Sequence, residues 1–391
     1  MLVPTVSAAS ATAPADVRRL SIIGFVNASL PAEELAALAP VDADSELKRA
    51  VLDSRALVGP FLPDMMASAA SWLDQGARKV VVDAASAEET ALEAAVVAVS
   101  ELPASRVVLR VPVSSTADAS ALESKLLRLK ASVGGVIVSV TGEEEAPESA
   151  LAILQPLRKA LGDARFLLAV EWPSTPSVAV IAALHHKDIG VLANGAEADA
   201  ALAFVRCLRS DRPDGLFATV VVDAAGVALG LVYSSEESVL AAIASGRGVY
   251  YSRSRGGLWR KGETSGNAQT LLQLDVDCDS DALRFTVEQT GAGFCHLDTR
   301  SCWGEATGLR ALQQVLEDRL ANAPEGSYTQ RLFRDPALLR NKLVEEAQEL
   351  AEAESKPDVA GEAADVLYFA LVRCVAAGVS IDDAEVSRVS C

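Results

Sequence analysis

The run Asp277-Cys278-Asp279-Ser280-Asp281 sets three carboxylates at alternate positions, and Cys295-His296 and Cys302 follow it closely. Carboxylate oxygens suit hard cations such as Mg²⁺, and thiolates suit Zn²⁺. The segment from Thr270 reads as a strand, so alternation predicts Asp277, Asp279 and Asp281 on one side and Cys278 on the other. Two metals rather than one are therefore expected. Zinc on Cys278, Cys295 and Cys302 would keep a fourth position for water and bring its pKa toward about 7. His296 is placed to move a proton for that water. A structural zinc with His296 as fourth ligand, or thiols without metal, are the plainer alternatives.

Upstream, Ser252 to Asn267 combines Arg253, Arg255 and Lys261 with Thr264, Ser265 and Gly266. Forked arginine donors, hydroxyls and glycine make an anion cradle; a solvated basic loop is the alternative. Near the C-terminus, Glu346 and Glu349 share a helix face, and Glu362 and Asp365 repeat that spacing on the next helix. Two such pairs across a helix hairpin would hold Mg²⁺ beside a pyrophosphate; alone, they read as a solvated acidic stripe.

The elements that must position these groups fall into three regions. From 19 to 212, β-branched runs (Leu20–Val26, Lys79–Asp83, Arg106–Val113, Gly135–Val140, Phe166–Glu171, Ile189–Leu192) alternate with helical stretches such as Ala87–Glu101 and Ser149–Leu161. This predicts an α/β domain with parallel strands, as an incomplete barrel or a doubly wound layer. Asp83, Glu171 and the Asn194-Gly195 turn fall at strand ends, where sites occur in such folds. His185 and His186 read as an exposed helix end, and Cys207 and Cys374 as packing. Breakers at Ser210–Gly215 open a β-rich α+β domain over 213–308, with strands at Phe217–Val222, Gly226–Tyr233, Gly248–Ser252, Thr270–Asp277 and Leu283–Gln289 and a helix at Ser235–Ser245. An all-α module follows over 309–391, interrupted at Pro324–Gly326 and Ser355–Asp358.

With 391 residues the chain exceeds what one core usually supports, and its formal charge of −18 argues against nucleic acid as a partner. A phosphorylated small molecule remains compatible if a divalent cation lies between it and the carboxylates. Six cysteines are too few for a disulfide scaffold. Residues 1–18 read as a disordered leader, no apolar run has membrane-spanning length, and a cytoplasmic protein is expected.

Ser252-Arg-Ser-Arg, Leu258-Trp-Arg-Lys-Gly-Glu-Thr-Ser-Gly266, Asp277-Cys-Asp-Ser-Asp281 and Cys295-His with Ser301-Cys302 resemble phosphoribosyl-AMP cyclohydrolase. The resemblance implies hydrolytic opening of the adenine ring of phosphoribosyl-AMP in histidine biosynthesis, with Mg²⁺ on Asp277, Asp279 and Asp281. It also implies zinc on Cys278, Cys295 and Cys302, contributed across a homodimer. Trp303 stands where that family has Phe. Ser327-Tyr-Thr-Gln-Arg-Leu-Phe, Lys342–Leu350 and Glu362–Phe369 resemble phosphoribosyl-ATP pyrophosphohydrolase, which implies release of pyrophosphate at a Mg²⁺ held by Glu346, Glu349, Glu362 and Asp365. Lys342 would then contact phosphate and Glu345 support the cluster. Product of the one reaction is substrate of the other.

The N-terminal half resembles, more loosely, the leading region of fungal multifunctional histidine-biosynthesis proteins. Those continue into a histidinol dehydrogenase, so a truncated product, a shortened gene model or a bifunctional form is expected for a chain ending at Cys391. A general nucleoside-triphosphate pyrophosphatase with an inactive central domain, or a zinc-stabilised scaffold, are the competing readings.

Overall fold

The computed structural model describes residues 2–7, 10, 12–114, 119–141, 147–162, 166–172, 174–194, 199–304, 307–381 and 383–384. Two compact units divide the chain, Met1–Ala292 and Gly293–Cys391.

In the first unit, strands β1 (Leu2–Ser7), β2 (Val26–Ser29), β3 (Ala56–Phe61), β4 (Lys79–Asp83), β5 (Val107–Ser114), β6 (Gly135–Thr141), β7 (Leu167–Glu171) and β8 (Gly190–Asn194) form a closed parallel barrel. Closure comes from β1, which pairs with both β2 and β8. Val3, Leu57, Val81, Val108, Ile137, Ala169 and Leu192, one from each of seven strands, meet in one buried cluster. Branched apolar residues at every second position fill a barrel in this way.

The closed ring replaces the incomplete barrel or doubly wound layer expected from sequence. Two-sided burial gives the same apolar strand pattern in all three arrangements, and the deciding strand lay in the stretch read as a leader. Where a disordered leader was expected over residues 1–18, the described residues form β1 and most of the helix Ala13–Ser21. That helix also takes the start of Leu20–Val26, leaving only Val26 to the strand. β3 was missed because Gly59 and Pro60 interrupt its strand signal.

The same unit carries a six-stranded sheet of β9 (Phe217–Val222), β10 (Ala228–Ser234), β11 (Val249–Ser252), β12 (Gly257–Arg260), β13 (Gln269–Val276) and β14 (Ala282–Gln289), in the order β12-β11-β10-β9-β14-β13. All five expected strands and the helix Glu236–Ser245 lie within two residues of their expected bounds. Ser235 caps that helix by accepting from the Ser238 N–H, and Ser238 accepts from the Ser235 N–H in return. Tyr250 is fully buried, packs on Phe285 with ring centroids 5.2 Å apart, and donates its hydroxyl to Gln269 at 2.7 Å.

Barrel and sheet are joined by Arg55. Its Nη1 lies 2.5 Å from Asp275 Oδ1 on β13, while Nε and Nη2 donate to the carbonyls of Ser21 and Ile22. Arg284 holds the other Asp275 oxygen at 2.8 Å. Burial alone would raise the Asp275 carboxyl, but Arg284, Arg55 and Gln273 outweigh it and hold it below the usual carboxylate range.

The second unit contains helices Gly308–Asn322, Tyr328–Arg334, Pro336–Glu352 and Lys356–Ala376. Leu316, Leu332, Leu339, Phe369, Leu371, Val372 and Val375 form their core. Beyond the two expected breaks, Asp335 ends one helix and starts the next, accepting from the N–H groups of Ala337 and Leu338 just before the bend imposed by Pro336.

Arg55→Ala is expected to destabilise the first unit by about 2 kcal/mol, the cost of leaving a mostly buried carboxylate half-satisfied, discounted for screening. Denaturant titration of the full chain measures it. Because the folded Asp275 value is depressed, its contribution is complete above the ordinary carboxylate range of about 4 and is lost as pH falls through the folded value. Asp275→Asn should therefore flatten the acid limb of the stability profile.

Candidate active sites

Asp277, Asp279 and Asp281 each offer an oxygen within 4.8 Å of the other two. The reason differs from the one expected. β13 ends at Val276 and β14 begins at Ala282, so the three sit on a hairpin loop and not on an extended strand with alternating faces. Asp277 builds that loop by accepting the N–H groups of Asp281 and Ala282 at 3.0 and 3.1 Å. Burial would raise the Asp277 carboxyl, but these N–H groups outweigh it and hold it low. Asp281 is pushed the other way by burial and by the charges of Asp279 and Asp277. Carboxylates crowded this closely form the oxygen donor set whose repulsion a hard divalent cation relieves.

Ser280 forms the turn of this loop with φ of 71° and is buried. A serine in the left-handed region costs on the order of 1 kcal/mol, so neighbouring contacts must hold it there.

Of the three thiols, Cys278 is exposed on the same loop in the first unit, whereas Cys295 and Cys302 belong to the second. Cys295 lies on a tight turn in which its own N–H donates to Thr299 O and the Asp298 N–H donates to Cys295 O. The backbone N–H of Leu297, the Thr299 side chain and Cys302 lower the Cys295 thiol, favouring thiolate. His296 is exposed, with Nδ1 3.9 Å from Cys295 Sγ.

The basic segment is not one loop. β12, absent from the sequence-based expectation, runs through it and puts Arg253 and Arg255 in the turn before the strand and Lys261, Thr264, Ser265 and Gly266 in the turns after it. Arg253 stacks 4.0 Å from the Tyr233 ring centroid, a ring that Arg212 also approaches, at 4.7 Å. Gly266 has φ of 76° with open space where a side chain would project, as close approach of a ligand to backbone requires. Arg255, Thr264 and Ser265 are exposed.

In the helical unit, Glu346, Glu349 and Glu362 converge within 4.8 Å across the Pro336–Glu352 and Lys356–Ala376 helices. Glu346 is buried, Glu349 exposed and Glu362 intermediate. Asp365 is exposed and outside that group, yet its charge reaches Glu362, whose carboxyl is raised by burial and then by Glu349, Glu346 and Asp365. Lys342 pairs with Glu346 at 2.8 Å and Glu345 at 3.0 Å, which raises its ammonium well above the usual range.

Within the barrel, Asp83 and Glu171 at strand ends are linked by Arg110, whose Nε is 2.9 Å from Glu171 and whose Nη1 is 3.6 Å from Asp83. Asp83 Oδ1, Glu171 Oε2 and Trp172 Nε1 are buried without a well-aligned hydrogen bond. The Arg110–Glu171 contact is thus an ion pair of poor hydrogen-bond geometry. Gly195 lies outside the described residues. His185 is not an exposed helix end: its Nε2 lies 3.0 Å from Ser280 Oγ, and burial lowers its pKa to about 3. Its only signal in the sequence was a His-His pair that no cap required.

Two separate carboxylate clusters, one on a β-hairpin and one across a helix pair, define a multidomain protein with two candidate divalent-cation centres. Comparison with known proteins divides the chain along the same line. The family model for phosphoribosyl-AMP cyclohydrolase matches residues 230–304, and that for phosphoribosyl-ATP pyrophosphohydrolase matches residues 309–387. The histidine biosynthesis bifunctional protein HisIE of Parasynechococcus marenigrum is 36% identical over 200 residues, which cover 46% of this chain and 89% of that protein. The chain belongs to this family of histidine biosynthesis bifunctional proteins.

Fungal relatives are more similar still. The histidine biosynthesis bifunctional protein his7 of Schizosaccharomyces pombe is 51% identical over 227 residues, 55% of this chain and 54% of that protein. The histidine biosynthesis trifunctional protein of Saccharomyces cerevisiae is 59% identical over 179 residues, 46% of this chain and 22% of that protein. The match thus spans about half the length of the first and about a fifth of the second. Among the described residues no helix is long and apolar enough to cross a membrane.

Glu362→Gln removes one of the mutually repelling charges. In chelator, the thermal midpoint of the second unit should rise in calorimetry of the full chain, and the further rise expected when a divalent cation is added to the parent protein should disappear.

Proposed function

We propose that the chain catalyses two consecutive hydrolyses of histidine biosynthesis. The segment 309–391 releases pyrophosphate from phosphoribosyl-ATP, and the segment 213–308 opens the adenine ring of the resulting phosphoribosyl-AMP. The observation that carries this reading is that each matched segment holds its own converging carboxylates, Asp277, Asp279 and Asp281 in one and Glu346, Glu349 and Glu362 in the other.

The donor sets fit the metals assigned to them. Converging carboxylates, among which crowding raises Asp281 and Glu362, suit Mg²⁺, with Asp365 joining the helical group, and a Cys295 thiol biased toward thiolate suits Zn²⁺ on Cys278, Cys295 and Cys302. Bound Mg²⁺ neutralises phosphate charge, and bound Zn²⁺ makes water acidic enough to attack at neutral pH.

The chain's own residues do the rest. Arg253, Arg255, Lys261, Thr264, Ser265 and Gly266 bind the phosphoribosyl nucleotide on either side of β12. His296, exposed beside Cys295, accepts the proton from the attacking water and returns it to the ring nitrogen that departs. In the helical unit, Glu346 is locked by Lys342, so Glu349 is the freer carboxylate to orient water. Lys342 turns from Glu345 toward substrate phosphate when the nucleotide binds. A homodimer in which thiols of both copies complete the zinc set, acting in the cytoplasm, accords with the resemblance.

Turnover of phosphoribosyl-ATP followed by absorbance, with metal analysis and with and without chelator, tests the whole scheme. Faster hydrolysis of ordinary nucleoside triphosphates than of phosphoribosyl-ATP would overturn it. His296→Ala should slow ring opening by about 100-fold while zinc content stays near that of the parent. Glu349→Gln should reduce pyrophosphate release by more than about 100-fold and spare ring opening, as removal of several kcal/mol of metal-assisted stabilisation at one centre requires.

A further inference from the structure

An edge strand presents a row of unpaired backbone groups, and β13 is an edge of the six-stranded sheet. Here its first half bonds to the Gly246–Gly248 segment, and its end meets the barrel. The Leu274 N–H donates to Ile22 O at 2.7 Å, in the connection between the barrel's first helix and β2, and Arg55 reaches Asp275 from the residue before β3. Both contacts lie just ahead of the Asp277–Asp281 loop.

The loop itself is gripped at its turn. The backbone N–H of Arg209, two residues beyond the helix Ala200–Cys207, donates to Ser280 O at 2.8 Å. Nε2 of His185, the last residue of the helix Val178–His185, lies 3.0 Å from Ser280 Oγ. Ser280 is 5% exposed, stands between Asp279 and Asp281, and takes a left-handed backbone conformation that its residue type does not favour. No glycine is present to make the turn unaided. Backbone and side chain of this one residue are therefore held from the barrel side, and the carboxylates on either side of it follow.

We propose that the N-terminal barrel is a positioning platform for the carboxylate loop, with His185 and the Arg209 backbone fixing Ser280 so that Asp277, Asp279 and Asp281 meet on one divalent cation. His185 is on this account a positioning residue, acting through Ser280 and touching neither substrate nor metal. The inference rests on reading the loop as a cation site, and it gives the barrel a task that needs no chemistry of its own.

The test is Mn²⁺ binding to the full chain, followed by electron paramagnetic resonance in a Glu349→Gln, Glu362→Gln background that silences the helical centre. Asp279→Asn serves as the control and should abolish the remaining tight Mn²⁺. His185→Ala and Ser280→Gly should each weaken Mn²⁺ by about tenfold, the usual consequence of losing a group that orients a ligand. His185→Gln, which can return an amide nitrogen toward Ser280, should recover most of the affinity. Ring opening at saturating Mn²⁺ should stay close to that of the background protein, because the carboxylates are intact.

Ser280→Gly separates this account from one of local strain. Glycine relieves the backbone conformation while removing the hydroxyl, so strain alone predicts affinity unchanged or tighter. If Asp279→Asn leaves Mn²⁺ binding intact, the loop is not a cation site and the reading beneath the proposal fails. If Asp279→Asn abolishes binding while Ser280→Gly and His185→Ala bind as the background protein does, the positioning role is wrong and the cation site stands.

Discussion

Like charges brought within a few ångströms of one another must be forced together, and both candidate centres are exercises in that constraint. Three aspartates in one hairpin loop and three glutamates across one helix pair each lie within 4.8 Å. Each group is assembled by contacts made within or beside the cluster itself. In the loop, Asp277 is spent on backbone N–H groups at 3.0 and 3.1 Å, which folds the chain so that its neighbours converge. Across the helices, the pairing of Lys342 with Glu346 neutralises one member and lets the hairpin close. The raised carboxyls of Asp281 and Glu362 are the residue of repulsion left over, and a divalent cation is the partner that removes it.

Much of the chemistry was legible because it is written in residue types at short spacing. Helical periodicity accounts for Glu346 and Glu349 sharing a face, whereas packing of the two helices brings in Glu362 and leaves Asp365 outside the group. The aspartates met for a different reason from the one spacing suggested. Alternation along an extended strand and the folding of a hairpin loop both bring Asp277, Asp279 and Asp281 together, and only hydrogen bonds to Asp277 distinguish them. Alternation in fact continues back to Asp275, which faces Arg55 and Arg284 instead of the cluster. The pattern carried the residues and not their partners.

What stayed hidden was everything set by contacts remote in sequence. Barrel closure depends on Leu2–Ser7 lying beside Gly190–Asn194, and no local pattern in an alanine- and serine-rich opening announces that pairing. β12 was lost inside a segment whose arginines and glycines suggested a loop, although Trp259 opposite Tyr250 is a cross-strand aromatic pair of the usual kind. His185 and Ser280 are far apart in the chain, and each alone has an ordinary explanation.

The joint at Arg55 also has a directional character that its charge does not convey. One planar guanidinium faces two carbonyls and a carboxylate at once, with different nitrogens turned to each. A lysine would keep the charge and lose the fork, since an ammonium on a flexible stem cannot present fixed donors along those separate lines. At this point of the joint the shape of one side chain thus helps to specify orientation, and a rotation about it would break several bonds together instead of stretching one.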